Sequence, residues 1–227
     1  MPEIPANLAH WQPVALPAPV TLTGSYVTLE PLSAAQHTAA LWQSVHGHDR
    51  VWDWLADGPY ACEADLAAAL ALKEAGAAAR FFALLPAATG QAAGYASHMR
   101  MDPANGVIEV GNVMFSPALQ RTPAATEAMF LMARHIFEDL GYRRYEWKCN
   151  ALNLPSQRAA KRLGFTFEGI FRQHMIVKGR NRDTAWFAML DSEWPARKLA
   201  FEAWLAKENF DALGRQVRAL GEFQEPA

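Results

Sequence analysis

The amino-acid sequence predicts an α/β (α+β) fold, in which one mixed, mostly antiparallel sheet of about seven strands carries helices on both faces. Two observations lead to this fold class. Between residues 25 and 190, segments with the two-residue period of a strand alternate with segments with the 3.6-residue period of a helix. A single predicted helix also connects the strands at 106–115 and 144–150, and a crossover helix joins parallel neighbours. The sequence therefore predicts one central parallel pair.

Residue type and spacing predict each element of this sheet. Apolar and β-branched residues favour the strands, whereas alanine-rich and amphipathic stretches favour the helices. The turn signals Thr89-Gly90 and Asn105-Gly106 divide three strands of a meander. In chain order, the sequence predicts a strand at 25–32, helices at 34–46 and 65–79, strands at 80–86, 92–101 and 106–115, a helix at 123–140, a strand at 144–150, a helix at 155–163, and strands at 165–177 and 182–191.

Composition excludes several classes of function. Of the 227 residues, 51% are apolar, so the chain can bury a full core. The 21 basic and 23 acidic residues nearly cancel, which argues against nucleic acid and against a membrane as partners. Cys62 and Cys149 are too few for a disulfide framework. Because the sequence contains no run of about 18 apolar residues and no signal-like start, we expect a cytoplasmic protein.

The chain divides into three predicted parts. Residues 1–20 contain five prolines and no sustained periodicity, which predicts an extended arm lying on the surface or on a partner subunit. Residues 21–194 form the predicted α/β domain, and residues 195–227 form a helical extension. The arm and the extension are both candidates for a homodimer contact; alternatively, each covers apolar surface of its own domain.

The segment 118–130, ALQRTPAATEAMF, begins a helix with only small side chains in its first turn. Thr122 is a good N-cap, and Pro123 suits the first helical position because its missing N–H costs little there. An uncovered helix N-terminus carries roughly half a positive charge and unpaired N–H donors, so it can bind a phosphate. From this segment alone, an ordinary solvated helix start is the alternative.

A second helix is predicted to start at the same edge of the sheet. After the strand at 144–150, the sequence presents Asn153 and Ser156 about one turn apart, followed by Gly164 and Phe165. The carboxyl ends of two parallel strands meet at one edge, so both helix N-termini are expected there. The free N–H donors of the two helices would then lie close together.

Three pieces of the sequence together resemble the GCN5-related N-acetyltransferase (GNAT) superfamily, and more particularly its ribosomal-protein N-terminal acetyltransferase (RimJ/RimL-like) branch. They are IEVGNVMFSP, QRTPAATEA and the pattern NxxSxxxxxxxGF from Asn153 to Phe165. The resemblance covers about residues 22–192. It implies acetyl-CoA as co-substrate, bound where the central parallel strands splay apart, and it implies no metal.

The resemblance also assigns a donor site. The family loop usually carries glycine where this chain has Arg121 and Pro123. We expect phosphate binding to survive with fewer backbone donors and more side-chain charge, because a guanidinium makes a forked contact to phosphate oxygens. The residues predicted to contact CoA are Val113, Met114, Phe115, Gln120, Arg121, Thr122, Pro123, Ala124, Ala125, Thr126, Asn153 and Ser156.

Two residues are predicted to be catalytic. By the resemblance, Ser156 matches the serine that gives a proton to the leaving thiolate, and Asn153 matches the asparagine that contacts the CoA arm. Glu109, on the fourth large strand, is the candidate general base, acting through water. A helix-start hydroxyl without chemistry and a solvated strand carboxylate are the structural alternatives for Ser156 and Glu109.

The acceptor is predicted to be a primary amine. At pH 7 an α-amino group is roughly one-seventh neutral, whereas a lysine amine is neutral about once in 2,500 molecules, a gap of roughly 3.5 kcal/mol. This difference favours a peptide or protein N-terminus, or a small amine of low pKa, over an ordinary lysine. A wall made by the loop around residues 52–60 is expected opposite the hairpin at 178–183. The residues predicted to contact the acceptor are Trp52, Trp54, Tyr60, His98 and His174.

Three functions compete at this point. The first is an acetyl-CoA-dependent N-acetyltransferase that transfers acetyl directly to an amine, with Cys149 merely packed in the strand. The second is a non-catalytic CoA-binding sensor or interaction module, in which the glycine-poor loop marks lost turnover. The third is a detoxifying acetyltransferase for an antibiotic or toxin, which differs from the first only in the acceptor.

Overall fold

The computed structural model describes residues 8–224. One eight-stranded sheet runs through it, in the order β1-β2-β3-β4-β5-β6-β8-β7. Neighbouring strands are antiparallel except β5 and β6, which are parallel, as predicted. A two-residue β1 makes one strand more than the predicted seven. The strands are β1 Leu22–Thr23, β2 Val27–Pro31, β3 Ala79–Pro86, β4 Gly94–Asp102, β5 Val107–Phe115, β6 Arg144–Asn150, β7 Thr166–Val177 and β8 Arg180–Leu190.

Helices cover both faces of the sheet. A π-helical turn, His135–Asp139, extends α3, and 3-10 turns occur at Asp49–Trp52 and Lys207–Asn209. Within residues 8–224, no helix combines the length and apolarity needed to cross a bilayer. The helices are α1 Ala34–Val45, α2 Glu63–Ala75, α3 Pro123–Arg134, α4 Leu154–Arg162, α5 Trp194–Leu205 and α6 Gly221–Gln224.

Two cores lie on opposite faces of the sheet. The larger one packs α3 and α5 against the strands, with Phe130 and Phe201 in ring contact at 5.4 Å. The smaller one packs α1 and α2, with Leu41 and Leu66 fully buried. The sheet is therefore covered on both faces. The segments that follow β5 and β6, at the carboxyl ends of these two strands, remain available to form a site.

The parallel pair splays apart at its carboxyl end. β5 and β6 are paired only from Val107 to Val110 and from Arg144 to Trp147, although both strands continue beyond these residues. A bulge at Asn112, with φ +50°, bends β5 at this point. Its side-chain amide donates to the Ser97 hydroxyl at 3.1 Å, which fixes the bend. Beyond the bulge, the edge of β5 that faces β6 is free to bind an extended ligand.

Glu127 on α3 is buried, although a charged side chain is usually exposed. Glu127 is 5% exposed, and its carboxylate accepts backbone N–H bonds from Ser25, Tyr26 and Val27 at 2.6–2.9 Å. These donors belong to the turn before β2 and to its first residue. The carboxylate ties α3 to the edge of the sheet.

The two terminal parts both contact the domain. In the arm, the Trp11 indole donates to the Ala104 carbonyl at 2.7 Å, and the Val14 N–H donates to Pro103 at 3.1 Å. The predicted arm at residues 1–7 lies outside the described residues. At the other end, α5 buries Trp194 and Trp204 against the α3 side of the sheet. The described arm and α5 thus cover apolar surface of their own domain.

Candidate active site

A cleft of about 800 Å³, called here the donor cleft, opens where β5 and β6 separate. The starts of α3 and α4 form two of its sides, and residues after α5 form a third. Ten of the twelve residues predicted to contact CoA line it, whereas the side chains of Met114 and Ala124 are buried in the cores instead. The ten are Val113, Phe115, Gln120, Arg121, Thr122, Pro123, Ala125, Thr126, Asn153 and Ser156.

The first turn of α3 forms the floor of the donor cleft. Thr122 caps the helix, since its hydroxyl accepts the N–H of Ala125 at 3.2 Å and donates to the Leu119 carbonyl at 2.6 Å. Pro123 occupies the first helical position, as predicted. Small side chains then leave the positive end of the helix dipole open to the cleft.

Arg121 adopts the left-handed conformation, with φ +61°. This is the backbone shape that glycine adopts at little cost, whereas a residue with a Cβ is strained there by about 1–2 kcal/mol. The loop thus has a backbone shape that favours glycine, although arginine occupies the position. Its exposed arginine side chain also lines the cleft.

The donor cleft is lined by three arginines and, among the described residues, by no aspartate or glutamate. Arg215 is paired with Asp211 at 2.7 Å, outside the lining. Arg162 donates from Nη1 to the Thr126 hydroxyl at 3.1 Å and makes no ion pair within residues 8–224. Burial lowers the pKa of Arg162, but an arginine remains charged at neutral pH. The cleft therefore suits an anion.

Asn153 and Ser156 are arranged at the start of α4. The Asn153 side chain caps the helix by accepting the N–H of Ser156 at 3.1 Å. The Ser156 hydroxyl accepts the Trp147 indole N–H at 3.0 Å. This bond uses an oxygen lone pair, so the hydroxyl keeps its hydrogen for donation, and the Cys149 thiol lies within its reach. Trp147 thus fixes the position of the Ser156 hydroxyl at the cleft wall.

Cys149 lies on the same face of β6 as Trp147. It is buried there beside Ser156 of α4. Burial raises the pKa of the Cys149 thiol, and the nearby Ser156 hydroxyl only partly offsets this effect. A thiol is nucleophilic as the thiolate, so the raised pKa makes Cys149 a poor acetyl carrier. This environment agrees with direct transfer.

A second set of polar side chains occupies the opposite side of the β5–β6 pair and is called here the charged face: Arg100, Glu109, Glu146 and Lys148. Lys148 Nζ lies 3.1 Å from Glu109 Oε2 and 2.6 Å from Glu146 Oε2, and Arg100 Nε lies 3.3 Å from Glu109. Glu109 and the Lys148 side chain are each about 5% exposed. The charged side chains of Glu146 and Lys148 on β6 are therefore buried rather than solvated.

Burial dominates the ionisation of Glu109. It raises the pKa of the carboxyl group above the ordinary glutamate value, while Lys148 and Arg100 partly offset the rise by stabilising the carboxylate. Such a carboxylate is a stronger proton acceptor than a solvated one. Glu109 is therefore neither the solvated strand residue nor an isolated base, but one member of an ion-pair network.

The residues predicted to form the acceptor wall differ in exposure. Trp52 is 2% exposed and packs edge-on against Tyr60 at 5.0 Å, whereas Trp54 is 43% exposed. Tyr60 donates to Asp57 at 2.6 Å. Lys178 Nζ donates to the Trp52 carbonyl at 3.0 Å, so the hairpin between β7 and β8 does lie against this loop, as expected.

The two histidines separate onto different faces of the sheet. His98 has no exposed surface and packs among Phe82, His135 and Tyr145 in the α3 core, so its predicted contact with the acceptor is wrong. Burial, with His135 nearby, lowers the pKa of His98 to about 3, so the ring stays neutral. His174 lies beside the charged face, with Nδ1 at 2.9 Å from the Thr184 hydroxyl.

Several residues that line the donor cleft were not predicted from the sequence, and three of them show why. Trp204 and Gln216 come from the C-terminal extension, and Arg162 comes from the end of α4. Arg162 was visible as one of several cations on a helix, but nothing local distinguished it from Arg158 or Lys161. Trp204 and Gln216 carried no signal at all, since only the fold brings them to the cleft.

These features define a class: a single-sheet α/β protein whose split central pair admits an extended anionic ligand at a helix N-terminus. No three histidine, cysteine, aspartate or glutamate side chains in residues 8–224 come together in a way that could hold a metal ion. The family model described as the acetyltransferase (GNAT) domain matches residues 27–166, more than half of the chain. The chain belongs to this family of acetyltransferases, which use acetyl-CoA.

Known proteins agree with this assignment. A GCN5-related N-acetyltransferase from Brucella melitensis is 50% identical, with 96% of this chain and 99% of that one aligned and a TM-score of 0.94. A probable acetyltransferase (GNAT family) from Chromobacterium violaceum ATCC 12472 is 43% identical over 86% of this chain and 100% of that one, with a TM-score of 0.79. Acetyltransferases of ribosomal proteins share the fold at 19–20% identity, which shows the fold alone.

Among curated proteins, the uncharacterized N-acetyltransferase YnaD of Bacillus subtilis (strain 168) is 33% identical over 87 residues, which is 38% of this chain. The chain spans half the length of that relative.

Proposed function

We propose that this protein is an acetyl-CoA-dependent N-acetyltransferase that transfers an acetyl group directly to a primary amine. The observation that carries the proposal is the donor cleft itself. It combines a helix N-terminus and three arginines with a free strand edge, and no carboxylate among residues 8–224 lines it. A pyrophosphate carries negative charge and needs donors, and a pantetheine arm needs an extended backbone partner. Acetyl-CoA carries both.

Different residues of the donor cleft are suited to different parts of acetyl-CoA. The first turn of α3, with Arg121 and Arg162, is suited to the pyrophosphate. The free edge of β5 at Val113 and Phe115 is suited to the amide groups of the pantetheine arm, which it would bind as an added strand. When bound, the thioester supplies an activated acetyl carbon next to Ser156.

Direct transfer needs two proton movements. The amine nitrogen forms a bond to the acetyl carbon, the carbon–sulfur bond breaks, and the electron pair stays on sulfur. The proton lost by nitrogen goes to Glu109, directly or through water, and the Ser156 hydroxyl gives its proton to the sulfur. Water then returns a proton to Ser156 and takes one from Glu109, which restores both residues. The raised pKa of Glu109 and the bond from Trp147 to Ser156 support these two roles.

The charged face and the loop around Trp54 form the proposed acceptor side. The hairpin contact from Lys178 to Trp52 closes one end of it, and His174 lies beside Lys148 on the other. Because an α-amine is neutral far more often than a lysine amine at pH 7, we propose a peptide N-terminus or a small amine of low pKa as the acceptor.

The test is thiol release from acetyl-CoA in the presence of a panel of amines, which includes peptides with a free or blocked N-terminus, free lysine side chains and small amines. We expect release with free α-amines at rates well above those with blocked peptides that carry lysine. Turnover with small amines alone would instead favour a detoxifying enzyme. Binding of CoA without turnover across the whole panel would overturn the enzyme and leave a CoA sensor.

A further inference from the structure

The chain after α5 reaches the donor cleft, although the family match ends at residue 166. We call residues 204–216 the C-terminal wall. Five of its residues line the cleft and therefore extend it beyond the two helix starts: Trp204, Phe210, Gly214, Arg215 and Gln216.

The C-terminal wall is held in place by its own bonds. Phe210 and Gln216 form an antiparallel bridge, and the Asp211 carboxylate accepts the backbone N–H groups of Leu213 and Arg215, both at 2.9 Å. The Asn209 amide donates to the Trp204 carbonyl at 3.0 Å. A segment with this many internal bonds presents a fixed surface to the cleft.

Trp204 connects the C-terminal wall to the phosphate end of the cleft. Its ring packs edge-on against Phe210 at 5.1 Å, and its indole N–H donates to Gln216 Oε1 at 3.0 Å. The Arg162 guanidinium lies over the same ring, 4.9 Å from its centre. On its other side Arg162 donates to Thr126 in the first turn of α3. The positive charge of Arg162 is thus held between the C-terminal wall and the first turn of α3.

The Arg162 guanidinium has donors to spare. It carries five N–H groups in a planar fork, and one of them is used by Thr126. No carboxylate of residues 8–224 forms an ion pair with it. A cation that is fixed in place, desolvated in part and without a protein anion is arranged for an anionic ligand.

We propose that the C-terminal wall is part of the donor site: Trp204 positions Arg162 to bind the pyrophosphate of CoA, and the wall borders the nucleotide end of the molecule. The inference rests on acetyl-CoA as the donor. It follows that this chain recognises its donor by the nucleotide half as well as by the pantetheine arm, so that a short thioester without phosphates makes no use of Arg162.

The test compares two donors, acetyl-CoA and acetyl-pantetheine, in steady-state thiol release. In Arg162→Gln we expect the KM for acetyl-CoA to rise about tenfold or more, because a charged hydrogen bond is lost, and the KM for acetyl-pantetheine to stay the same. Arg158→Gln is the matched control, because Arg158 lies on the same helix and is exposed like Arg162 but does not line the cleft. It should change neither constant.

Trp204 is tested as a positioning residue by two substitutions. Trp204→Phe keeps an aromatic ring under the guanidinium and should stay within a few-fold of wild type for both donors. Trp204→Leu should raise the KM for acetyl-CoA selectively, as Arg162→Gln does. An equal rise for both donors, together with a lower melting temperature, would show that Trp204 is merely structural and would overturn its positioning role.

Calorimetric titration of CoA without any amine separates this inference from the proposed function. If no amine is acetylated but Arg162→Gln weakens CoA binding about tenfold, the enzyme proposal fails and the C-terminal wall stands. If Arg162→Gln binds CoA as tightly as wild type does, the inference is overturned, whether or not turnover is observed. Because Arg162 is exposed to the cleft rather than packed in a core, its variants are expected to fold.

Discussion

The donor cleft and the charged face lie on two sides of the same pair of strands, yet they handle charge in opposite ways. The cleft gathers three arginines and, among the described residues, no lining carboxylate, so its positive charge has no complete partner in the protein. The charged face pairs Lys148 with Glu109 and Glu146 at 3.1 and 2.6 Å and buries all three.

This difference indicates what each side is built to receive. A site with unpaired cations is stabilised when an anion binds. A site whose charges are paired internally can instead control the ionisation state of a proton acceptor. Glu109 belongs to the charged face, whereas Ser156 lines the donor cleft. Four predictions test the comparison, in order of the size of effect expected.

The largest effect is expected from Glu109→Gln. If Glu109 accepts the amine proton, kcat should fall by about a hundredfold or more. The base must be ionised, and its pKa is raised by burial, so the wild-type rate should fall as the pH drops through a value above the ordinary glutamate range. A pH profile of kcat/KM measures this limb, which should be absent in Glu109→Gln.

Glu146→Gln is the matched control for that variant, because it changes the same ion-pair network without removing the proposed base. Glu146→Gln should keep the fall in rate at low pH.

The free energy of unfolding should also depend on Glu109. A carboxyl group whose pKa is raised in the folded state stabilises that state when protonated. The contribution of Glu109 is therefore present at low pH and is lost as the pH rises through the raised pKa. An unchanged limb in Glu109→Gln would exclude it as the base.

The next effect is expected from Ser156→Ala, which removes the proton donor and leaves the Trp147 indole without its acceptor. We expect kcat to fall by about a hundredfold, and less when the leaving thiol is more acidic and needs less protonation. The measurement is the dependence of kcat/KM on thiol pKa for a series of acetyl thioesters, which should become steeper. Ser44→Ala, in α1, is the control that removes a hydroxyl elsewhere. An unchanged slope would contradict the role.

A smaller effect is expected from Gln216→Glu, which places a carboxylate in the donor cleft. The new side chain still accepts the Trp204 indole bond, so the change is chiefly one of charge. The KM for acetyl-CoA should rise about tenfold at low salt and less at high salt, because salt screens the repulsion. Gln91→Glu makes the same change on an exposed turn and should have no effect. Equal constants for the two variants would refute an anion in the cleft.

The smallest effect is expected at Arg121, where backbone and side chain can be separated. Arg121→Gly relieves the left-handed strain and should be about 0.5–1 kcal/mol more stable than Arg121→Ala, which keeps it. Both variants should raise the KM for acetyl-CoA about threefold, since both lose the exposed cation. Urea unfolding measures the first difference and steady-state kinetics the second. If Arg121→Ala leaves the KM unchanged, the side chain does not reach the phosphates.

Local patterns were enough to predict the order of the elements and ten of the residues that line the donor cleft. Strand and helix periods, the Thr122 cap and the small first turn of α3 depend on neighbours in sequence, so the sequence alone reveals them. Tertiary structure decided where two other side chains lie. A bulge at Asn112 shifts the alternation of β5, so the Met114 side chain is buried, and His98 faces α3 because of how the whole sheet is covered.

The sequence by itself determined the first turn of α3, with its Thr122 cap, its proline and its small side chains. These features depend on backbone bonds between residues that are adjacent in sequence. Only the tertiary structure decided how the charges are distributed. Whether Glu109 is paired, whether Arg162 lacks an anion, and whether a wall some forty residues beyond Arg162 reaches the same cleft depend on distances between remote segments. Electrostatic interactions act through space and depend on burial, which no local pattern records.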